Sequence, residues 1–326
     1  MKIMVVGGAG YIGSRLTPAL QERGHDVTVV DLLWFGRHLP EETRVIQKDA
    51  MALTEADLKG FNQVVFLGGL SNDPMAEYSP ARNFIFNAAA PAYLGYIAKR
   101  AGVTRFIYAS SCSVYGYTKN EMSTESAVIS PAYPYGISKL QGEQALLLMQ
   151  DSSFSVISLR KGTVSGHSPR MRFDLVVNTM FRSAMVNGEI VVNNPSIWRP
   201  IVSIQDAVSS YVRATEADAS ISGIFNIISG NYIIGQVGDI VKADLERLTG
   251  KKIKLTIKNI QDFRNYKVDH HKSAQVLGFQ AQTNINDIVN ELHAHRAEYG
   301  DFQDPLYFNI QTLKALDAQA AAANAR

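Results

Sequence analysis

The run Gly7-Gly8-Ala9-Gly10-Tyr11-Ile12-Gly13 constrains this chain more than any other stretch, because it follows an apolar run, Ile3 to Val6, and opens an amphipathic one. It reads as G-x-x-G-x-x-G from Gly7 or as G-x-G-x-x-G from Gly8. In either reading the missing side chains let the backbone turn sharply and approach a pyrophosphate, whose charge then rests on a helix N-terminus. A second apolar run, Val27-Thr28-Val29-Val30, ends in Asp31. That acid falls about 20 residues beyond the glycines, where a carboxylate accepts hydrogen bonds from adenosine ribose hydroxyls and repels a 2′-phosphate. Together these features point to NAD rather than NADP. Arg37 stands against that preference, since it pairs with a 2′-phosphate if its loop folds back. Asp49, after a third apolar run, either meets the adenine amino group or is simply solvated.

The first half alternates short apolar runs with longer amphipathic stretches, the pattern of a parallel sheet covered by helices on both faces. Strands are expected at Lys2–Val6, Asp26–Val30, Thr43–Gln47, Gln63–Leu67, Arg105–Ala109 and Ser155–Leu159. Helices are expected at Ile12–Arg23, Asn83–Ala101 and Tyr135–Gln150, the last entered by Pro134. This is a Rossmann-type, doubly wound α/β fold, with residues 1–162 as the dinucleotide-binding domain. Beyond about residue 160 the regularity breaks, and 163–312 is expected to form a smaller, mixed α/β substrate lobe. Within it, Phe225–Ile228 and Ile253–Ile257 read as strands and Gly235–Thr249 and Ile285–Arg296 as helices. Some segments, such as 201–228, are expected to return to the first domain. The alanine-rich stretch 313–326 reads as a fraying helix or disordered tail outside the functional part.

Composition narrows the partners. The 326 residues carry 32 basic and 30 acidic side chains, so there is no global field to attract nucleic acid or an anionic membrane. Cys112 is the sole cysteine, which excludes an intramolecular disulfide and a cysteine zinc cluster and fits a reducing cytoplasm. No apolar run reaches the roughly 18 residues of a transmembrane helix. A soluble, cytoplasmic protein without a metal centre is the expectation.

Tyr135-Gly136-Ile137-Ser138-Lys139 puts a tyrosine and a lysine at i and i+4 on one helical face. An unperturbed phenol, near pKa 10, is too weak a base at neutral pH. A neighbouring ammonium lowers it by roughly 1–3 units, and a lysine there also donates to a nicotinamide ribose. Ser110-Ser111-Cys112-Ser113-Val114-Tyr115-Gly116 follows the fifth strand, at the carboxyl edge where such sheets bind ligands. A serine there either bonds a substrate oxygen or satisfies its own turn.

With these residues in hand, the chain resembles the extended short-chain dehydrogenase/reductases, in the branch of NAD-dependent nucleotide-sugar epimerases and dehydratases. The likeness spans nearly the whole chain: Gly7-x-x-Gly10-x-x-Gly13, Asp31, the Ser110–Gly116 run, Pro134-Tyr135-Gly136-Ile137-Ser138-Lys139, Leu159-Arg160, Arg172 to Asn178, Trp198-Arg199-Pro200 and Asp206. The resemblance implies Tyr135 as base, Lys139 as its partner and Ser111, three positions before Val114, as the residue that polarises the reacting oxygen. It implies NAD held by Gly7, Gly10, Tyr11, Ile12, Gly13, Asp31, Asp49, Leu67, Gly68, Gly69, Tyr135 and Lys139. It implies a nucleotide-diphosphate sugar met by Ser111, Asn178 and Arg199, with Arg264 as a further phosphate candidate. Trp198 either stacks on a base or packs. A homodimer through Asn83–Ala101 and Tyr135–Gln150 is also implied, with Phe84, Ile97, Leu146 and Leu147 on the apolar faces, unless those faces only pack on the sheet.

Departures from the family pattern matter. Gly68-Gly69 replace a pair of alanines, which should widen the cofactor cleft. Ser165 and His167 replace the Tyr and Pro of a Val-Tyr-Gly-Pro loop, His167 reading as an exposed loop residue or a proton donor. Where the 4,6-dehydratases of the family carry Asp then Glu, this chain has Cys112 and Ser113; the 3,5-epimerases place a cysteine at the position of Ser113. That leaves alcohol oxidation and ketone reduction, and hence a 4-epimerase working through a transient 4-keto sugar. A 4-ketoreductase, dehydrogenase or dehydratase of a similar sugar nucleotide shares the machinery, and a non-catalytic NAD-sensing regulator shares the fold.

Overall fold

The computed structural model describes residues 1–118, 121–259 and 264–324. Seven strands form one parallel sheet: β1 (Lys2–Val6), β2 (Asp26–Asp31), β3 (Arg44–Gln47), β4 (Gln63–Phe66), β5 (Arg105–Ser111), β6 (Ser155–Lys161) and β7 (Gly223–Ile227). Their spatial order is β7-β6-β5-β4-β1-β2-β3. The chain leaves β1 toward β3 on one side and resumes with β4 on the other, so a crevice opens between β1 and β4 at the carboxyl ends of the strands. The Rossmann-type architecture expected from the sequence is therefore present. The main helices are α1 (Gly13–Glu22), α2 (Ala90–Arg100), α3 (Pro134–Leu147), α4 (Val176–Asn187), α5 (Ile204–Glu216), α6 (Ile234–Thr249), α7 (Ile285–Ala294) and α8 (Asn309–Asn324).

The strands are apolar on both faces because both faces are covered. On one side Ile3, Val5, Val29, Val65 and Ile107 pack with Leu16 and Leu20 of α1 and Tyr211 of α5. On the other, Met4, Val30, Val64 and Phe106 meet Leu94 of α2 and Leu146 of α3. The period of two along each strand thus sends alternate residues into separate cores. The seventh strand, β7, comes from the second half of the chain and runs parallel to β6 from Gly223 opposite Ile157 to Ile227 opposite Lys161.

Where one helix is expected over Asn83–Ala101, there are three pieces: Pro80–Phe84, a π-turn at Ile85–Ala89, and α2. The interruption has a cause. The carbonyl of Asn87 accepts from Tyr108 Oη at 2.8 Å, and a Cβ on Gly142 of α3 would stand 2.4 Å from that same oxygen. A helix carbonyl engaged from outside widens the ladder locally.

The second lobe holds a three-stranded sheet (Thr163–Ser165, Trp198–Ser203, Gly230–Ile233) and a parallel pair (Glu189–Asn193, Lys254–Lys258). Its core joins Phe173, Phe181, Ile190, Val241, Leu245 and Ile288. Two expectations need correction. Residues 313–324 are not a loose tail: Leu313 is buried beside Leu70 and Met75, and Asp317 pairs with Arg82 and accepts from Tyr78 Oη. Alanine richness misleads here because one leucine per few turns suffices to dock a helix that also carries an ion pair. Of the residues expected at a dimer face, Ile97 and Leu146 are buried in the chain's own core and Leu147 packs against it, while Phe84 stays exposed together with Ile85 and Ile137. Among the described residues no helix is long and apolar enough to cross a membrane.

Candidate active site

A cleft of about 740 Å³ runs along the carboxyl edge of the sheet and is lined from both lobes. At its floor the glycine loop is required by contacts, not merely permitted. Gly7 has φ +78°, and a Cβ there would lie 2.6 Å from the Gly68 amide nitrogen. A Cβ on Gly13 would stand 2.5 Å from the backbone of Gly8, so α1 can start against β1 only without one. Gly10, Tyr11 and Ile12 line the same floor, a tight glycine turn ahead of the start of α1, the kind of place where backbone amides can receive an anion. Replacing Gly7 by Ala forces a left-handed φ on a Cβ, about 1–2 kcal/mol, and pushes β1 from β4. A fall in melting temperature and at least about tenfold weaker NAD binding are expected, read by thermal denaturation and titration.

Asp31 ends β2 and lines the cleft. Its carboxylate accepts from the Ala9 amide (3.0 Å) and the Leu33 amide (2.8 Å), which ties the strand end to the glycine loop. Burial raises its pKa from the usual value, and these backbone bonds pull the other way. Arg37 turns away, donating to the carbonyls of Glu41 and Thr43. Asp49 caps a short turn by accepting from Met51 and still lines the cleft. Leu67, Gly68 and Gly69 line it too, but the second glycine does not widen it. Gly69 has φ +130°, and the place of its Cβ is filled by Asn87 Oδ1, 2.0 Å away.

Ser111, Tyr135 and Lys139 meet on the cleft wall. Ser111 is the last residue of β5, aligned with Lys161 of β6. Pro134 opens α3, which sets Tyr135 in its first turn and Lys139 one turn deeper. Ser111 Oγ donates to Ser113 Oγ at 3.1 Å and accepts from the Ser113 amide at 3.1 Å. Lys139 Nζ lies 5.9 Å from the Tyr135 ring centre and 5.3 Å from that of Tyr108. Burial, then Asp73, pushes the phenol above its ordinary range, opposed by Arg172 and the nearby Ser111 hydroxyl. Lys139, expected to be the main lowering charge, is itself drawn down by burial to about 7.

Other expected residues fall in different places. Arg199 is buried in the cleft wall with its guanidinium 5.7 Å from the Tyr266 ring. Arg264 lines the mouth, paired with Asp73 and lying over Tyr133. Asn178 does not face the cleft. Its amide bonds the Gly166 nitrogen (2.9 Å), Tyr11 Oη (3.1 Å) and the Arg172 carbonyl (2.8 Å), so it buttresses the glycine loop rather than a sugar diphosphate. Trp198 packs under Lys267, whose Nζ is 5.0 Å from its ring. Cys112 is fully buried with its thiol on the Arg160 carbonyl, and burial pushes its pKa up, leaving it inert.

His167 is buried rather than exposed, and lies behind the cleft. Its ring stacks on His295 at 3.7 Å and 4°, with Tyr299 Oη 3.2 Å from Nδ1, and burial draws its pKa down to about 4. Glu298 completes a group of three potential ligands. Parallel stacked imidazoles send their in-plane lone pairs along parallel lines rather than to one point, so this is a packing pair.

Several groups in and around the cleft are not among the expected site residues. Asn87 is fully buried behind Gly69, its Nδ2 donating to the Leu70 carbonyl and Asn83 Oδ1. Lys161 ends β6 with its amine on Tyr211 Oη at 2.6 Å. Arg170 and Arg172 come from the loop after Ser168, and Asn309 from α8. The signal for the arginines was present as Arg-x-Arg-x-Asp among apolar residues; for Asn309 there was none.

Residues 3–227 match the model of the NAD dependent epimerase/dehydratase family. A UDP-glucose 4-epimerase of Corynebacterium glutamicum is 25% identical over 324 residues, covering 92% of this chain and 97% of that protein. A UDP-glucose 4-epimerase of Mycolicibacterium smegmatis is 26% identical over 306 residues, covering 86% and 94%. Among solved structures, MoeE5 in complex with UDP-glucose and NAD superposes with a TM-score of 0.81 at 26% identity, over 92% of this chain and all of the other. With its glycine cradle, its Ser, Tyr and Lys on one wall, and a family match across more than half its length, the chain belongs to the NAD dependent epimerase/dehydratase family.

Proposed function

We propose that this protein is an NAD-dependent 4-epimerase of a UDP-hexose. The observation that carries the reading is the grouping of Ser111, Tyr135 and Lys139 on the wall of the same cleft as the glycine cradle, with Lys139 Nζ 5.9 Å from the Tyr135 ring centre. Bound NAD supplies the hydride acceptor and, in the reverse direction, the donor. Tyr135 Oη takes the proton of the sugar 4-hydroxyl and later returns it, and Ser111 Oγ steadies that oxygen through both transfers. Lys139, poised near 7, supplies positive charge close to the phenol at neutral pH and below, and favours its ionised form. Arg199 and Arg264 lie where a sugar-bound diphosphate needs cations. Release and recapture on opposite faces of C4 requires the sugar to turn between the two steps.

The residues beside Ser111 favour this reaction over its neighbours. Elimination and 3,5-epimerisation need an acid or a thiol that exchanges protons in the cleft; Cys112 is sealed and Ser113 is a hydroxyl. The relatives that act on UDP-glucose support the choice of substrate. A homodimer through the exposed Phe84, Ile85 and Ile137 belongs to the same reading.

The test is to incubate the purified protein with UDP-glucose or UDP-galactose without added cofactor and follow the products by chromatography. Both substrates should converge on one equilibrium mixture. No interconversion, with oxidation of the sugar that consumes added NAD⁺ and yields NADH, would instead make the protein a dehydrogenase.

A further inference from the structure

Arg170 is a charge that the reaction above leaves unused. It is 2% exposed and lines the cleft. Its guanidinium lies 3.7 Å above the Phe35 ring; Nη2 donates to Asn309 Oδ1 at 2.5 Å and Nη1 reaches the Met171 carbonyl at 3.5 Å, while the buried Nε–H has no acceptor. Among the described residues no carboxylate forms an ion pair or hydrogen bond with it, although Asp174 and Asp31 lie near enough to favour its charge. Asp174 is held by Arg172 through two bonds of 2.8 and 3.1 Å, and Asp31 spends an oxygen on each of two backbone amides. Burial, with the charge of Arg172, draws its pKa to about 9. A buried cation with an unmet donor in a cleft wall is costly unless an anion arrives to complete it.

The loop that carries it indicates which anion. Ser168 Oγ donates to the Tyr11 carbonyl at 2.7 Å and meets Ser14 Oγ at 2.8 Å, and the Arg170 amide reaches Ser14 Oγ at 3.4 Å. Arg170 is therefore anchored to the first turn of α1, the helix start that the glycine loop presents to a diphosphate. From the other side α8 holds it: Asn309 accepts from Arg170 and donates to Ser71 Oγ (2.7 Å), which accepts from Arg172 Nη1 (3.0 Å).

We propose that Arg170 binds the pyrophosphate of the dinucleotide, as a cationic clamp brought to the glycine loop by the second lobe and positioned by Asn309 of α8. The proposal rests on the reading of the cleft as an NAD site. A 2′-phosphate is the other phosphoryl group a dinucleotide offers, and the Asp31 carboxylate beside the clamp repels it.

The test compares the wild type with R170M, R170K and N309A by calorimetric titration of NAD, ADP-ribose, NADP and adenosine, with circular dichroism melts to confirm folding. R170M should bind NAD and ADP-ribose about 10–100-fold more weakly, as for loss of charge-assisted hydrogen bonds, and adenosine unchanged. R170K should recover part of the loss, N309A should lose less than R170M, and raising the salt should narrow the gap between wild type and R170M. NAD binding by R170M equal to wild type, or an equal loss for adenosine, overturns the proposal. A loss confined to NADP assigns the charge to a 2′-phosphate and overturns it as well. Wild-type protein that binds no NAD overturns the cofactor reading itself, a failure distinct from a wild-type-like R170M.

Discussion

Tyr135→Phe is expected to lower turnover by about 10²–10⁴-fold, the usual worth of a positioned acid–base group. The substitution removes one oxygen and leaves the ring, and hence its packing beside Lys139, in place. NAD affinity should therefore fall by less than about tenfold, since at most one neutral hydrogen bond of about 1 kcal/mol is lost. A stopped assay with excess protein resolves the residual rate, and titration reads the cofactor. Turnover within a factor of a few of wild type would remove Tyr135 from the proton transfer. An equal collapse of NAD binding would make it a cofactor anchor instead.

Glu143→Ala is expected to destabilise the fold by about 3–5 kcal/mol, the cost of stranding one member of a buried ion pair. Glu143 and Arg160 are both 1% exposed. Arg160 Nη2 donates to Glu143 Oε1 at 2.5 Å and Nε to Oε2 at 3.1 Å, Ser158 Oγ donates to Oε2 at 2.7 Å, and Arg160 Nη1 donates to Tyr115 Oη at 2.9 Å. Burial works against the guanidinium charge, but the Glu143 bonds and charge outweigh it, and the net shift raises its pKa. Four residues before Glu143, on the same helix, sits Lys139, so this network fixes the height of α3 against β6 and with it the candidate proton-transfer group. Urea denaturation of E143A, and of the apolar double variant E143L/R160M, separates the terms. The double variant should regain most of the loss because no lone charge remains. A loss below about 1 kcal/mol for E143A would mean that water reaches and solvates Arg160.

What was legible in the sequence was local. The glycine loop, Asp31 and the Tyr135–Lys139 spacing each lie within one turn or one strand end, and a fixed offset implies a fixed geometry there. The apolar runs of β1, β4 and β6 were legible because a strand covered on both faces must be apolar throughout. Ser111 needed only the end of β5, although that strand ran two residues further than its apolar run suggested. What escaped depended on partners distant in the chain. Asn178 and Arg172 are six residues apart on one stretch, yet only tertiary contacts turn the first under Tyr11 and the second into the cleft. Gly69 read as open space, and Asn87, eighteen positions away, occupies it. His167 read as exposed because nothing nearby foretold the His295 ring stacked on it. Helix α8 read as a tail because its docking rests on Leu313, Asp317 and Asn309, three side chains spread over an otherwise alanine-rich stretch.

The central claim is that hydride leaves C4 of a UDP-hexose and returns to it within one binding event. Its most direct measurement is the fate of a deuterium placed at C4 of UDP-glucose, incubated in ordinary water without added cofactor and read by mass spectrometry and proton NMR. The account predicts UDP-galactose with the deuterium still at C4 and none exchanged with solvent. Loss of the label to solvent would contradict it.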